Sequence, residues 1–292
     1  MFLPLLHVTA GDNHWLDWTL DLDVLALCVV LGYGYFLTVT ALRPRISDAG
    51  RVKRSQAALF YAGVIALYLT SGGPLHKLSD EYLVSAHMLQ HTLLMLAVAP
   101  LLLAGTPGWV WMALIRRFHA LRVARIVTKP LVALVVFNAV LLLTHLPSAI
   151  ELQVREAWFH LFVHATQVAA GILLWWPVLS QTPELPRASY PVQIGYLFLQ
   201  SLLPAVLASF VTFADSAVYS VYADAPRIWG ISPVTDQQIG GGLMKVAGSL
   251  VLWSFMGLAF FRWYQQERAE EGEPRWSDVQ RELDTLGLAK PR

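Results

Sequence analysis

Long apolar runs alternate with short polar segments along the whole chain, and this alternation predicts the architecture. Seven runs stand out, at residues 22–42, 57–71, 83–103, 131–146, 158–179, 192–213 and 239–263. Most approach the roughly 20 residues that a helix needs to cross the hydrocarbon core of a bilayer. The second and fourth are short, so one of them is expected to be tilted or partly re-entrant. The pattern therefore predicts an all-α, polytopic membrane bundle with about seven transmembrane helices over residues 1–264. A tail, 265–292, mixes acidic and basic residues with few large apolar groups and reads as a solvated helix or disorder. Between the third and fourth runs, Thr106 suits an N-cap and Pro107 a first helical position. Trp109, Trp111, Leu114 and Ile115 follow, ahead of an arginine-rich stretch, so 106–129 reads as a surface helix anchored at the interface.

Basic residues alternate between loops in the same way. Arg43, Arg45, Arg51, Lys53 and Arg54 follow the first run, and Arg116, Arg117, Arg122, Arg125 and Lys129 follow the third. Arg187 follows the fifth, and Arg268, Arg275, Arg281, Lys290 and Arg292 follow the last, whereas the opposite loops hold only Lys77, Arg155 and Arg227. Because Lys and Arg stay preferentially in cytoplasmic loops, the expected orientation is N-out and C-in, with 265–292 a cytoplasmic tail. The opening apolar stretch from Phe2 to Leu6 is too short and too poor in basic flanks for a cleavable signal, so the first span is expected to direct insertion.

Composition agrees with the bilayer setting: only 14% of residues are charged, against about 25% in soluble domains. The net charge of +1 argues against a nucleic-acid partner. Cys28 is the sole cysteine, which rules out an internal disulfide and reads as a small packed residue before a soft metal ligand. No Gly-rich phosphate loop and no Ser, His and Asp order suited to hydrolysis is present, so no enzymatic activity is expected.

The histidines carry the chemistry. His87 and His91, and separately His160 and His164, are four residues apart and so share a helix face. With the topology imposed, both pairs enter from the outside at similar depth, about 6 and 12 Å along their helices. The outward-running fourth span brings His145 to the same level. His76 falls in the adjoining outer loop, and His7 and His14 in the outer N-terminal segment. A lone histidine in a span is most simply a hydrogen-bonded or wet group, and for His145 alone that is the simpler reading. Two pairs at matched depth on separate helices point to one site, since intramembrane ionisable groups are costly and imidazole is the commonest transition-metal ligand.

Imidazole suits Cu, Zn and Fe, and thioether sulfur favours Cu(I). Met88 is next to the first pair but points off its face by about 100°, Met95 continues that face one turn deeper, and Met244 lies in the outer part of the last span. Each methionine reads first as packing and adds modestly to the copper case. Asp215 and Asp236 sit at the outer ends of spans six and seven, too solvated to demand a metal role, so Mg and Ca are disfavoured.

Three stretches resemble a known family. The first holds Ser85, His87, Met88, Gln90, His91 and Thr92 and runs into Pro100, Gly105, Thr106 and Pro107. The second holds Thr144, His145, Leu146 and Pro147, followed by His160, His164, Trp175, Trp176 and Pro177. The third holds Ser232, Pro233, Asp236, Gln237, Gly240, Gly241 and Met244. Together they are similar to the polytopic CtaG family of cytochrome c oxidase assembly factors, over about residues 82–263. The resemblance implies a multi-pass protein of the bacterial plasma membrane that helps to build a haem-copper oxidase. It implies copper delivery to the oxidase's catalytic subunit, from an extracytoplasmic donor, through a site of His87, His91, His145, His160, His164 and Met244 towards the periplasmic face. Met88, Met95, His76 and Asp236 are the accessory candidates. One departure stands out: Lys245 occupies the place after Met244 where the family pattern leads us to expect tryptophan. A charge there must snorkel outward or find a partner, with Asp215 a candidate, and it weakens the case for Met244 as a ligand.

Other readings stay open. Gly240, Gly241 and Gly242 can simply let a neighbouring helix approach, with Asp236 capping that helix's N-terminus, and Pro100, Pro177 and Pro204 read first as kinks. Facing histidines such as His91 and His164 could instead ligate haem. A transporter would use the same histidines and Lys245 as relay groups, though no carboxylate pairs within the spans support it.

Overall fold

The computed structural model describes residues 21–46, 49–272 and 276–286; His7 and His14 lie outside them. Fourteen helices follow in order: α1 (Leu22–Leu37), α2 (Arg54–Ser71), α3 (Pro74–Glu81), α4 (Val84–Leu93), α5 (Ala99–Gly105), α6 (Gly108–Arg117), α7 (Leu121–Val127), α8 (Pro130–Thr144), α9 (Pro147–Arg155), α10 (Ala157–Leu179), α11 (Tyr190–Thr212), α12 (Ser220–Ala223), α13 (Pro233–Gly272) and α14 (Trp276–Thr285). Among the described residues there is no strand, only an isolated bridge between Thr182 and Leu185. Prolines open α3, α8 and α9, where a missing N–H costs nothing.

This is an all-helical membrane protein. Five helical stretches, 22–45, 84–105, 157–179, 190–212 and 233–269, are long and apolar enough to cross a bilayer. Counted as one span each, two bent pairs raise the number to as many as seven: α2 with α3, bent by 40°, and α7 with α8, bent by 84°. These hold the two short runs of the sequence. The 15 residues of α8 rise about 22 Å, short of the roughly 30 Å hydrocarbon core, and α7 turns across its end instead of extending it.

The 84–105 span is the centre of the bundle: 67% of it is buried, against 17% of the first span. It is one helix interrupted by a wide π turn at Leu94–Val98, just before Pro100, with α5 continuing beyond. Gly171 of α10 lets that helix lie against the wide turn, since a Cβ there would stand 3.0 Å from the Met95 backbone. The Trp175 indole donates to the Met95 carbonyl at 3.0 Å, locking the two together. On the other side Gly240 of α13 backs onto Ser85 of α4, and Gly241 onto Ala208 and Thr212 of α11, whereas Gly242 has no close neighbour. Large apolar side chains such as Val30, Phe36, Ile65, Val135, Phe162, Phe210 and Phe261 are left on the outer faces, as a lipid-facing bundle requires.

The interfacial segment differs from its expected form. Residues 106–129 form two short helices, α6 and α7, separated at His119, whose φ of 53° no continuing helix allows. Thr106 does not cap α6; its hydroxyl turns back to the Leu102 carbonyl at 2.7 Å, and Pro107 stands in the cap position. The last span is also longer than its apolar run, because α13 continues without a break past position 265 to Gly272.

Candidate metal centre

His87 and His91 are the fourth and eighth residues of α4, and His160 and His164 are the fourth and eighth of α10. Equal register from equal starting points puts the two pairs at one level, and the close contact at Gly171 turns their faces together. His87 and His91 are 0% exposed, His160 6% and His164 7%. Ring centroids are 4.3 Å apart within the first pair and 4.2 Å within the second, and His91 lies 5.4 Å from His164. His145, the residue that ends α8, joins at 5.2 Å from His91. His76, from α3, lies 5.2 Å from His160.

The hydrogen bonds define which nitrogens are available. His145 Nδ1 donates to the Leu141 carbonyl at 2.8 Å, which leaves the Nε2 lone pair free, and Nε2 has no partner. Both ring nitrogens of His87 and of His91 are buried without a partner. His160 Nε2 meets His164 Nε2 at 2.8 Å, so one of the two donates. An unpartnered buried polar atom costs about 1–3 kcal/mol, and five of them on three neighbouring rings are unfavourable for a purely structural core. The residues therefore fit a soft or borderline cation that takes nitrogen donors: two or three neutral imidazoles facing one another are a transition-metal donor set.

Around the rings lies a polar layer of which the sequence marked only Gln90, as part of the first family-like stretch. Gln90, Gln153 and Gln167 are all buried. Gln167 donates to the Thr144 hydroxyl at 2.9 Å and Gln153 to the Thr144 carbonyl at 2.8 Å, pinning the turn that carries His145. The Oε1 atoms of both have no partner. Asp80, also unanticipated, approaches His160 Nδ1 at 3.3 Å and His76 Nε2 at 3.6 Å. Its signal in the sequence was the spacing of His76 and Asp80, four apart on α3. Tyr222, 6.0 Å from His87, closes the side of the cluster, and its hydroxyl donates to the Ser79 carbonyl. Tyr219 donates to the His145 carbonyl at 3.2 Å. Burial pushes the Tyr219 phenol up to about 12, so it is a neutral donor.

The remaining candidates fall elsewhere. Met88 is packed with Val84, Ile150, Tyr219 and Tyr222, and Met95 with Ala99, Leu174 and Trp175. Met244 lies against both of these apolar clusters and lines a cavity of about 40 Å³ with Thr92, Gln200 and Lys245. Asp236 is buried, not solvated, and its two oxygens accept the Val84 and Ser85 N–H groups, capping α4. Lys245 does not pair with Asp215: Nζ donates to Ser209 Oγ at 3.2 Å and sits 5.5 Å from the Phe213 ring centroid. Cys28 packs with Tyr35, Phe60 and Val64 between α1 and α2.

An all-helical membrane protein with an inward-facing histidine cluster is the class these features define. Residues 33–266 match the cytochrome c oxidase caa3 assembly factor family, Caa3_CtaG, and the chain belongs to it. Curated relatives include uncharacterized proteins of Mycobacterium bovis and Mycobacterium tuberculosis, each 26% identical over 270 residues, covering 86% of this chain and 40% of the relative. An uncharacterized Mycobacterium leprae protein is 23% identical over 281 residues, covering 89% of this chain and 42% of its own length. The chain thus spans about two-fifths of the length of these relatives. No solved structure matches.

Proposed function

We propose that this chain assists assembly of a cytochrome c oxidase by holding copper on its buried histidines and passing it to the oxidase's catalytic subunit. The observation that carries this reading is the packing together of five histidine rings from three helices, with centroids of neighbouring rings 4.2–6.0 Å apart and with both ring nitrogens of His87 and His91 and Nε2 of His145 unpartnered. Neutral nitrogen donors without a surrounding cage of carboxylates favour Cu(I) over harder ions. The family's role in oxidase assembly supports the client. Ring-to-ring packing at 4.2–6.0 Å favours an ion over haem, because a porphyrin needs a flat slot between its axial ligands.

The basic residues supply the orientation. The cluster sits at the starting ends of α4 and α10, while Arg43, Arg54, Arg116, Arg125 and Arg187 border the opposite ends of the spans. In a bacterial plasma membrane this makes the histidine end extracytoplasmic, with the N-terminus outside and the C-terminus inside, and the copper source a donor on that side.

The test is metal content of the purified protein beside a His91→Ala, His164→Ala double variant, together with the visible spectrum. Bound copper in the wild type, its loss in the variant and no Soret band support the reading. A strong Soret band would replace it with haem binding, and absence of copper from a folded wild type incubated with Cu(I) would defeat it.

A further inference from the structure

The four buried histidines, with the half-buried His145, have no anion among them, yet one carboxylate stands at their edge. Asp80 Oδ1 is 3.3 Å from His160 Nδ1, and Oδ2 is 3.6 Å from His76 Nε2. The ligand atoms of His76, Asp80 and His160 all lie within 4.8 Å of one another. Side-chain exposure falls along the line they begin: 26% at His76 and 23% at Asp80, 7% at His160, then nothing at His87 and His91. His160 faces both ways, because Nδ1 points at Asp80 while Nε2 is 2.8 Å from His164 Nε2.

The edge is built. Gln90, 0% exposed, donates to the Thr70 carbonyl at 2.8 Å, which fixes its amide orientation, and its second N–H faces His76 Nδ1 at 3.2 Å. The proton of a neutral His76 is therefore on Nε2, towards Asp80 Oδ2. Ser79 donates to Gln90 Oε1 at 2.7 Å, and Tyr222 in turn donates to the Ser79 carbonyl, so α3 is tied to the deep face of the site. With Oδ2 turned towards His76 at 3.6 Å, Asp80 presents Oδ1 to His160 at 3.3 Å.

We propose that Asp80 and His160, with His76 as the residue positioning Asp80, form the landing site through which a cation enters the buried cluster. Moving a cation from water to neutral imidazoles in a low-dielectric interior is costly, and a partly exposed carboxylate at the mouth lowers that cost while attracting the ion. Entry is ligand exchange alone: the ion trades its carrier for Asp80 and His160, then for the deeper rings, with no change of oxidation state. This inference rests on the copper-holding reading above.

The experiment is stopped-flow loading of the full chain in detergent, with Cu(I) supplied from a weak competing chelator, for wild type, Asp80→Asn and Asp80→Glu. The Asn variant, equal in size but uncharged, should load about tenfold more slowly or worse while reaching the wild-type copper stoichiometry. The Glu variant should recover most of the rate. Added salt should slow wild type and leave Asp80→Asn unchanged. Should the Asn variant not fold, the salt response of wild type and the Glu variant's rate still decide: salt-independent loading of wild type overturns the proposal. So do wild-type loading by Asp80→Asn and a lower final stoichiometry in it, the latter making Asp80 part of the holding site. A wild type that takes up no copper would instead defeat the functional reading itself, a result distinct from equal loading by both.

Discussion

Asp236 accepts the Val84 backbone N–H at 2.8 Å, and the Ser85 N–H at 3.1 Å, although it is 152 and 151 positions away along the chain. A carboxylate at that end answers both the unsatisfied N–H groups and the positive end of the α4 dipole. The bond sets where α4 begins, and thereby the depth of His87 and His91. Replacing Asp236 with Ala should cost about 1–3 kcal/mol, at the upper end of cap losses because the amides are buried. Asp236→Asn should cost less, since one oxygen remains to accept. Thermal melts of the two variants in detergent check the order; equal melts would remove the cap from the account of α4.

Proton competition gives the second prediction. A metal-binding imidazole must be deprotonated, so if nitrogen donors hold the ion, copper affinity should fall as pH is lowered, because each proton taken up displaces a donor. Equilibrium dialysis at a series of pH values would detect this. Retention unchanged down to the pH at which the protein unfolds would point away from histidine.

The methionine and the lysine of the last span separate packing from ligation. Met244 lies among apolar side chains of two clusters, so Met244→Leu conserves volume and should cost less than about 1.5 kcal/mol while copper stoichiometry is kept. Lys245→Met removes only the contacts with Ser209 and Phe213 and should likewise leave the metal in place. Elemental analysis of the two purified variants checks both. Loss of copper in Met244→Leu alone would restore a thioether to the donor set.

In a host whose oxidase depends on this protein, substituting one histidine from each pair should leave it inserted but the oxidase short of copper. Each His→Ala change removes a polar group and no apolar contact of comparable size, so membrane abundance should stay near wild type. Oxidase activity should fall at limiting copper and recover in part when copper is added. Full activity in the double variant at limiting copper would defeat the copper assignment, and disappearance of the protein would reduce these histidines to structural groups.

The residues by themselves determined what is local. Apolar run length marked the spans, including the two short ones that the structure bends, and spacing of four put each histidine pair on one face. Both follow from the rise and period of a helix, which need no partner. The tertiary structure decided what meets those faces. Gly171 against the Met95 turn sets the approach of α10 to α4, and Asp236 reaches α4 from the far end of the chain. Gln153 and Gln167 read as isolated polar residues until packing gathers them around Thr144, and Gln90, marked only as part of a family-like stretch, is brought to His76. Asp80 lay outside the apolar runs, so periodicity gave it no weight, and only the fold of α3 over α4 brings it to His160. Lys245 found Ser209 and Phe213 one helix away instead of Asp215, because a snorkelling side chain binds whatever its own helix face meets.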